Sequence, residues 1–166
     1  MKLMEIKKGT PPASDKTKSG GTYAAAKLSD DTKENITKYF KENDIPEPCD
    51  VDDMHCTILY SRKPCPDYKA AGEYDGVKIG KPTPFDVWQS QDKTKNILVL
   101  PLDAPEMTAR HEELMKEHDA SYDFPDYKPH VSFTYNFGDR DAKDLPPVDF
   151  DIEFATEYQE ELDPST

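Results

Sequence analysis

Apolar positions along this chain change their period several times, and the changes mark its elements. Residues Lys7 to Gly21 (KKGTPPASDKTKSGG) hold no apolar side chain except Ala13. Such a segment can bury no face, which predicts a flexible N-terminal arm over residues 1–20 ahead of one domain over 21–166. Tyr23 to Leu28 leads into Ser29, a good N-cap, and Leu28, Ile36, Tyr39 and Phe40 follow at near-helical spacing. They predict a helix over Asp30–Asn43 that ends before Pro46. Met54 to Tyr60, rich in Thr, Ile, Leu and Tyr, reads as a strand closed by Pro64-Cys65-Pro66. Gly76–Gly80, Thr83–Ser90 and Lys95–Leu102 are β-branched runs separated by short polar connections, the pattern of antiparallel strands. Pro105 stands in the first turn of a helix over Glu106–Ala120, in which Met107, His111, Leu114, Met115 and His118 share one face. Val131–Tyr135 and an alternating Val148–Phe154 complete the strands. The order of strand, helix, strand, a run of strands, helix and two strands indicates an α+β fold rather than a doubly wound parallel sheet.

Composition narrows the function. The 166 residues carry 21 Lys and Arg against 34 Asp and Glu, a net charge of −13. That charge opposes coating a nucleic-acid duplex, whose binding needs a basic face, but leaves room for a small anion in a local pocket. The longest uninterrupted aliphatic run, Ile97 to Leu100, is far short of the ~20 residues of a bilayer span. Together these features predict a soluble, cytoplasmic protein with no membrane partner and no secretory signal. Cys49, Cys56 and Cys65 form no C-x-x-C pair and lie at no zinc-ligand spacing, so reduced thiols are expected, with Cys56 a small core residue.

The chemistry lies in a repeated pattern. His55-Cys56-Thr57-Ile58-Leu59-Tyr60 and His130-Val131-Ser132-Phe133-Thr134-Tyr135 both read H-x-[ST]-x-x-Y, each on a predicted strand. A period of two places His and hydroxyl on one face and Cys56 or Val131 on the other. If the two strands lie side by side, two imidazoles and two hydroxyls converge on one cleft. Such a set suits phosphodiester cleavage without a metal. One neutral His takes a proton from the attacking hydroxyl, a protonated His gives one to the leaving oxygen, and the hydroxyls donate to the phosphoryl oxygens. Either histidine alone reads as a half-buried strand residue paired to backbone; the matched pair is what points to function.

The duplicated H-x-[ST] motif resembles that of the two-histidine (2H) phosphoesterase superfamily. Within it, Gly21-Thr22-Tyr23-Ala24, Asp53 to Ser61, Val87-Trp88 and Lys128-Pro129-His130-Val131-Ser132 are similar to the bacteriophage anti-CBASS phosphodiesterases, which degrade cyclic oligonucleotide messengers of a bacterial antiphage system. The resemblance runs from about Gly21 to Tyr158. It implies a bilobal fold of antiparallel sheets around a central cleft with flanking helices. It also implies catalysis by His55, Thr57, His130 and Ser132 without metal or other cofactor, a cyclic di- or trinucleotide substrate, and action in the host bacterial cytosol. Tyr23 and Trp88 would stack on bases, and an acidic residue near the C-terminus, Glu157, would meet a base edge; the place of Tyr23 just after the flexible arm further predicts that it orders on ligand binding as part of a lid.

The residues themselves leave alternatives. Trp88 serves equally as a core residue. Glu153, Glu157 and Glu160 share an acidic tail in which solvated charge is the plain reading. Lys27, Arg62, Lys63 and Lys128 can supply a local positive field for substrate, Lys128 beside the second motif being the best placed. His111-Glu112-Glu113-Leu114-Met115 lacks the second histidine of a zinc protease motif, and His111 and His118 are expected to border the buried face of their helix. The same catalytic residues would serve a 2H enzyme acting on 2′,3′-cyclic phosphates or 2′,5′-linked RNA ends. A nucleotide sponge would need no paired proton-transfer groups.

Overall fold

A computed structural model describes residues 6–7, 21–90, 92–122 and 126–162. In chain order these form β1 (Ile6–Lys7), β2 (Thr22–Leu28), α1 (Asp30–Glu42), β3 (His55–Ser61), β4 (Gly72–Pro82), β5 (Asp86–Gln89), β6 (Asn96–Asp103), α2 (Pro105–His118), β7 (His130–Thr134) and β8 (Ile152–Leu162). The strand pairings are all antiparallel, in the order β3-β2-β8-β4-β6-β5, with β1 joined to β8 and β7 to β6. One lobe is β3-β2-β8-β4; the other is β5-β6-β7. They meet where Lys81 and Pro82 of β4 pair with Asp103 and Leu102 of β6.

Each helix starts as its sequence directs. Ser29 caps α1, its hydroxyl accepting from the Thr32 amide at 3.2 Å. Pro105 opens α2, where its missing N–H is no loss. From the first lobe α1 crosses to the second, laying Tyr39 and Phe40 on Phe133 of β7 at ring separations of 5.9 and 5.2 Å. Conversely, α2 leaves the second lobe and packs on β3 and β4. Both helices cover one side of the strands, where Ala24, Ala26, Cys56, Ile58, Leu98, Val131, Ile152 and Phe154 form a continuous buried core. Cys56 is fully buried there, its thiol pushed up to about 11 by burial, as its apolar setting led us to expect. Removing this apolar area from water is the main term holding the lobes together.

Two differences from the sequence reading have physical causes. The last strand begins at Ile152, not Val148, and continues through Glu157 to Leu162 as an interior strand between β2 and β4. No solvated acidic tail exists over 153–162; carboxylates interrupt the apolar alternation, and Glu157 occupies a buried position because Arg110 neutralises it. Similarly, β4 extends beyond Gly76–Gly80 to Gly72–Pro82, its ladder with β8 broken between Glu73 and Lys78 around the positive φ of Gly76. Gly21 admits no side chain, because a Cβ there would collide with the Ser61 carbonyl oxygen. Of the arm, residues 1–5 and 8–20 lie outside those described, and 6–7 pair with β8. Among the described residues no helix is long and apolar enough to cross a membrane.

Candidate active site

The two motif strands repeat each other in detail. His55 donates from Nδ1 to the Asp53 carbonyl at 2.9 Å, and His130 donates from Nδ1 to the Lys128 carbonyl at 2.8 Å. A carbonyl only accepts, so each Nδ1 carries a hydrogen and each Nε2 is left as the proton-exchanging atom. Both strands also bulge at the same motif position. The β2–β3 register steps from Ala24↔Leu59 to Ala25↔Thr57, skipping Ile58; the β6–β7 register steps from Leu98↔Thr134 to Val99↔Ser132, skipping Phe133. The extra residue resets the alternation, so that Ile58 with Leu59, and Phe133 with Thr134, are buried. The motif tyrosine, three positions after the hydroxyl residue and therefore on the wrong face of a regular strand, returns to the histidine face. Tyr135 accordingly hydrogen-bonds Ser132, while Tyr60 meets Tyr23 edge-on at 6.2 Å.

Although β3 and β7 are not ladder partners, they lie side by side. The Cys49 amide, ahead of β3, donates to the Phe133 carbonyl of β7 at 2.8 Å, and the His130 backbone N–H reaches the Cys56 thiol. The imidazoles feel each other: burial lowers the His130 pKa, the Lys128 carbonyl opposes this, and the charge of His55 lowers it further. Trp88 sits edge-on to His130 with ring centroids 4.5 Å apart, its indole N–H donating to Asp86 Oδ2 at 2.8 Å. Its neighbour Val87 packs on the core instead, so the core alternative for Trp88 does not hold. Lys128 has an exposed side chain and contributes its carbonyl to His130. Across β2 from His55 stands Lys27, whose exposed ammonium lies 5.0 Å over the Tyr158 ring.

Two expected base contacts lie in buried surroundings. Tyr23 lies on β2, between β3 and β8, and is fully buried among His55, Tyr60 and Tyr158. Its hydroxyl sits 2.9 Å from Thr57 Oγ1. In this arrangement its ring has no face open to solvent. Glu157 is likewise sealed: Arg110 donates to it from Nε at 2.9 Å and Nη2 at 2.8 Å, Tyr68 Oη at 2.7 Å and the Ala71 amide at 2.9 Å. Burial alone would raise this carboxyl; Arg110, Tyr68 and Ala71 hold it below the usual range. Both of its oxygens thus accept from protein donors, three of the four bonds falling on Oε2.

The other histidines occupy helix α2. His111 is buried with Nδ1 donating to the Ile58 carbonyl at 2.7 Å, and His118 lies edge-on to Tyr68 at 5.8 Å. Among the described residues no three His, Cys, Asp or Glu side chains gather as a metal-ligand set. Two surface hollows of about 400 and 430 Å³ lie against α1 and α2, away from the histidine face. The arrangement on that face can accept a proton at one imidazole and donate one at the other while hydroxyls hydrogen-bond an anion between them.

Comparison with known proteins agrees with this geometry. The fold matches LigT of E. coli in its phosphate complex, with a TM-score of 0.51, 14% identity and coverage of 85% of this chain and 86% of LigT. It is the 2H phosphoesterase fold. Anti-CBASS protein Acb1 of Salmonella phage S16 is 33% identical over 144 residues, covering 87% of this chain and 90% of the relative. The protein of the same name from Enterobacteria phage T4 is 33% identical over 120 residues, covering 72% and 75%. The family model for anti-CBASS protein Acb1 matches residues 20–166. A chain with paired histidine strands on this fold, matched over nearly its whole length, belongs to the anti-CBASS protein Acb1 family.

Proposed function

We propose that the chain is a metal-independent phosphodiesterase that hydrolyses 3′,5′-linked cyclic di- or trinucleotides and so blocks CBASS. The observation that carries this reading is the duplicated lock. Two imidazoles, each fixed through Nδ1 to the carbonyl two residues before it, stand on neighbouring strands with a hydroxyl two residues after each. Burial and the nearby His55 favour the neutral form of His130, which supports His130 as the base and His55 as the acid. His130 Nε2 takes the proton of a ribose 2′-hydroxyl or water as its oxygen bonds to phosphorus. The bond to the leaving 5′-oxygen breaks, and that oxygen takes a proton from His55 Nε2. Thr57 and Ser132 hydroxyls hydrogen-bond the phosphoryl oxygens, where charge accumulates. Trp88, half-buried beside His130, offers a π-face to one base, and Lys128 adds positive charge at the site's rim.

Incubation with a panel of cyclic di- and trinucleotides in excess EDTA, with products resolved by chromatography, tests the reading. Opening to linear products is expected. Loss of activity in EDTA restored by Mn²⁺ or Mg²⁺ would contradict metal independence. Cleavage of only 2′,3′-cyclic phosphates or 2′,5′ linkages would move the substrate to RNA ends, and stoichiometric binding without turnover would leave a sponge.

A further inference from the structure

The catalytic strand β3 is an edge strand whose only ladder partner among the described residues is β2. On it two consecutive carbonyls are taken by side chains. Tyr127 donates from Oη to the Thr57 carbonyl at 2.7 Å, and His111 donates from Nδ1 to the Ile58 carbonyl at 2.7 Å. In a regular strand successive carbonyls point to opposite edges; the bulge at Ile58 lets one neighbouring pair of side chains reach both. The two rings stack on each other, centroids 4.3 Å apart and planes within 9°. Burial pushes the Tyr127 phenol well above its usual range, so it remains a donor.

Tyr127 reaches the second motif through Cys56 of the first. Its hydroxyl lies 3.7 Å from Cys56 Sγ, the same thiol that meets the His130 backbone N–H. The next residue, Lys128, supplies the carbonyl that fixes His130 Nδ1. One phenol therefore holds a carbonyl two residues from His55 while sitting one peptide bond from the residue that orients His130.

We propose that Tyr127, backed by the stacked His111, is a positioning residue that clamps the two histidine strands together, setting the separation and orientation of the imidazoles. The clamp is a statement about the histidine pair and rests on the phosphodiesterase reading only where activity is measured. Two bland roles, core filling and satisfaction of edge carbonyls, would affect stability without touching the imidazoles.

The test uses the full chain with Tyr127→Phe, which keeps the stack and removes one hydroxyl. Ring nitrogen NMR across a pH titration is expected to show altered titrations for His55 and His130 with that of His118 unmoved. On a cyclic dinucleotide, kcat is expected to fall ~10–100-fold with KM within about twofold, since misplacement near 1 Å costs on the order of 10²-fold. In a folded Tyr127→Phe protein, wild-type kcat, or His55 and His130 titrations that coincide with wild type, would overturn the clamp. Should that variant not fold, His111→Gln, which keeps a donor for Ile58 but loses the stack, is read by the same titration with the same overturning result. If the wild-type protein cleaves no cyclic nucleotide, the functional reading fails while the NMR titration still decides the clamp.

Discussion

The first and second motif strands share their backbone and differ in what surrounds it. On β3, His55 stands beside the exposed Lys27 and meets the edge of Tyr23 at 6.1 Å. On β7, His130 lies against Trp88 at 4.5 Å, and burial draws it toward the neutral form. Thr57 is held by Tyr23 from a neighbouring strand, whereas Ser132 is held by Tyr135 of its own motif. One half is flanked by a cation; the other is flanked by an indole. Two copies of one bulged strand thus provide symmetric positions set in asymmetric surroundings.

The largest effect should come from removing either imidazole. His55→Ala and His130→Ala are each expected to lose ~10²–10⁴-fold in kcat, well beyond Thr57→Ala or Ser132→Ala. Near-wild-type turnover in either histidine variant breaks the comparison outright. In the pH profile of kcat/KM, activity should rise through the ionisation of His130, and its lowered pKa places that acidic limb below the ordinary ~6.5.

Stability should separate the lobes next. The buried Glu157–Arg110 pair braces β8 against α2 in the first lobe. Arg110→Ala leaves Glu157 without its cation, with an expected cost of about 3 kcal/mol in urea unfolding. Acid should act in the same direction. The folded pKa values of His130 and His111 are depressed, so the unfolded chain protonates first, and stability present above ~6.5 is lost as pH falls below it. Constant stability from pH 7 to 5 would contradict this.

Trp88→Ala sharpens the contrast between the histidines. Binding of a non-hydrolysable cyclic dinucleotide should weaken by ~1–3 kcal/mol, the worth of one stacked base, with little change in melting temperature. By re-solvating His130 it should also move the acidic limb to higher pH. A fall in stability of core size, ~3–5 kcal/mol, with normal binding by the folded fraction would remove Trp88 from the site. The smallest change is expected for Tyr23→Phe, which deletes the hydroxyl on Thr57 while keeping the buried ring. A loss of ~1 kcal/mol in thermal unfolding with unchanged nucleotide affinity fits a buried Tyr23; strongly weakened binding would return it to the ligand.

What the sequence determined was local and periodic. Ser29 and Pro105 placed the starts of both helices, and the twice-written His-x-hydroxyl placed four side chains on strand faces, because caps and the period of two act within a few residues. The bulges that bring Tyr60 and Tyr135 back to the histidine face are seen only in the strand registers, because nothing within one strand says which face that ring must take. Only the tertiary structure decided what depends on distant partners. β8 is legible as an interior strand once Arg110 of α2 and Tyr68 of a loop are seen to neutralise and bond Glu157. Tyr23 is sealed by Tyr158, which lies at the far end of the chain. Burial of His130, against Trp88 and beside β3, is likewise set by packing between segments remote in sequence. Charge and aromatic pattern in one strand carry no record of which remote residue will cover them, so pairing and burial emerge only when the lobes pack.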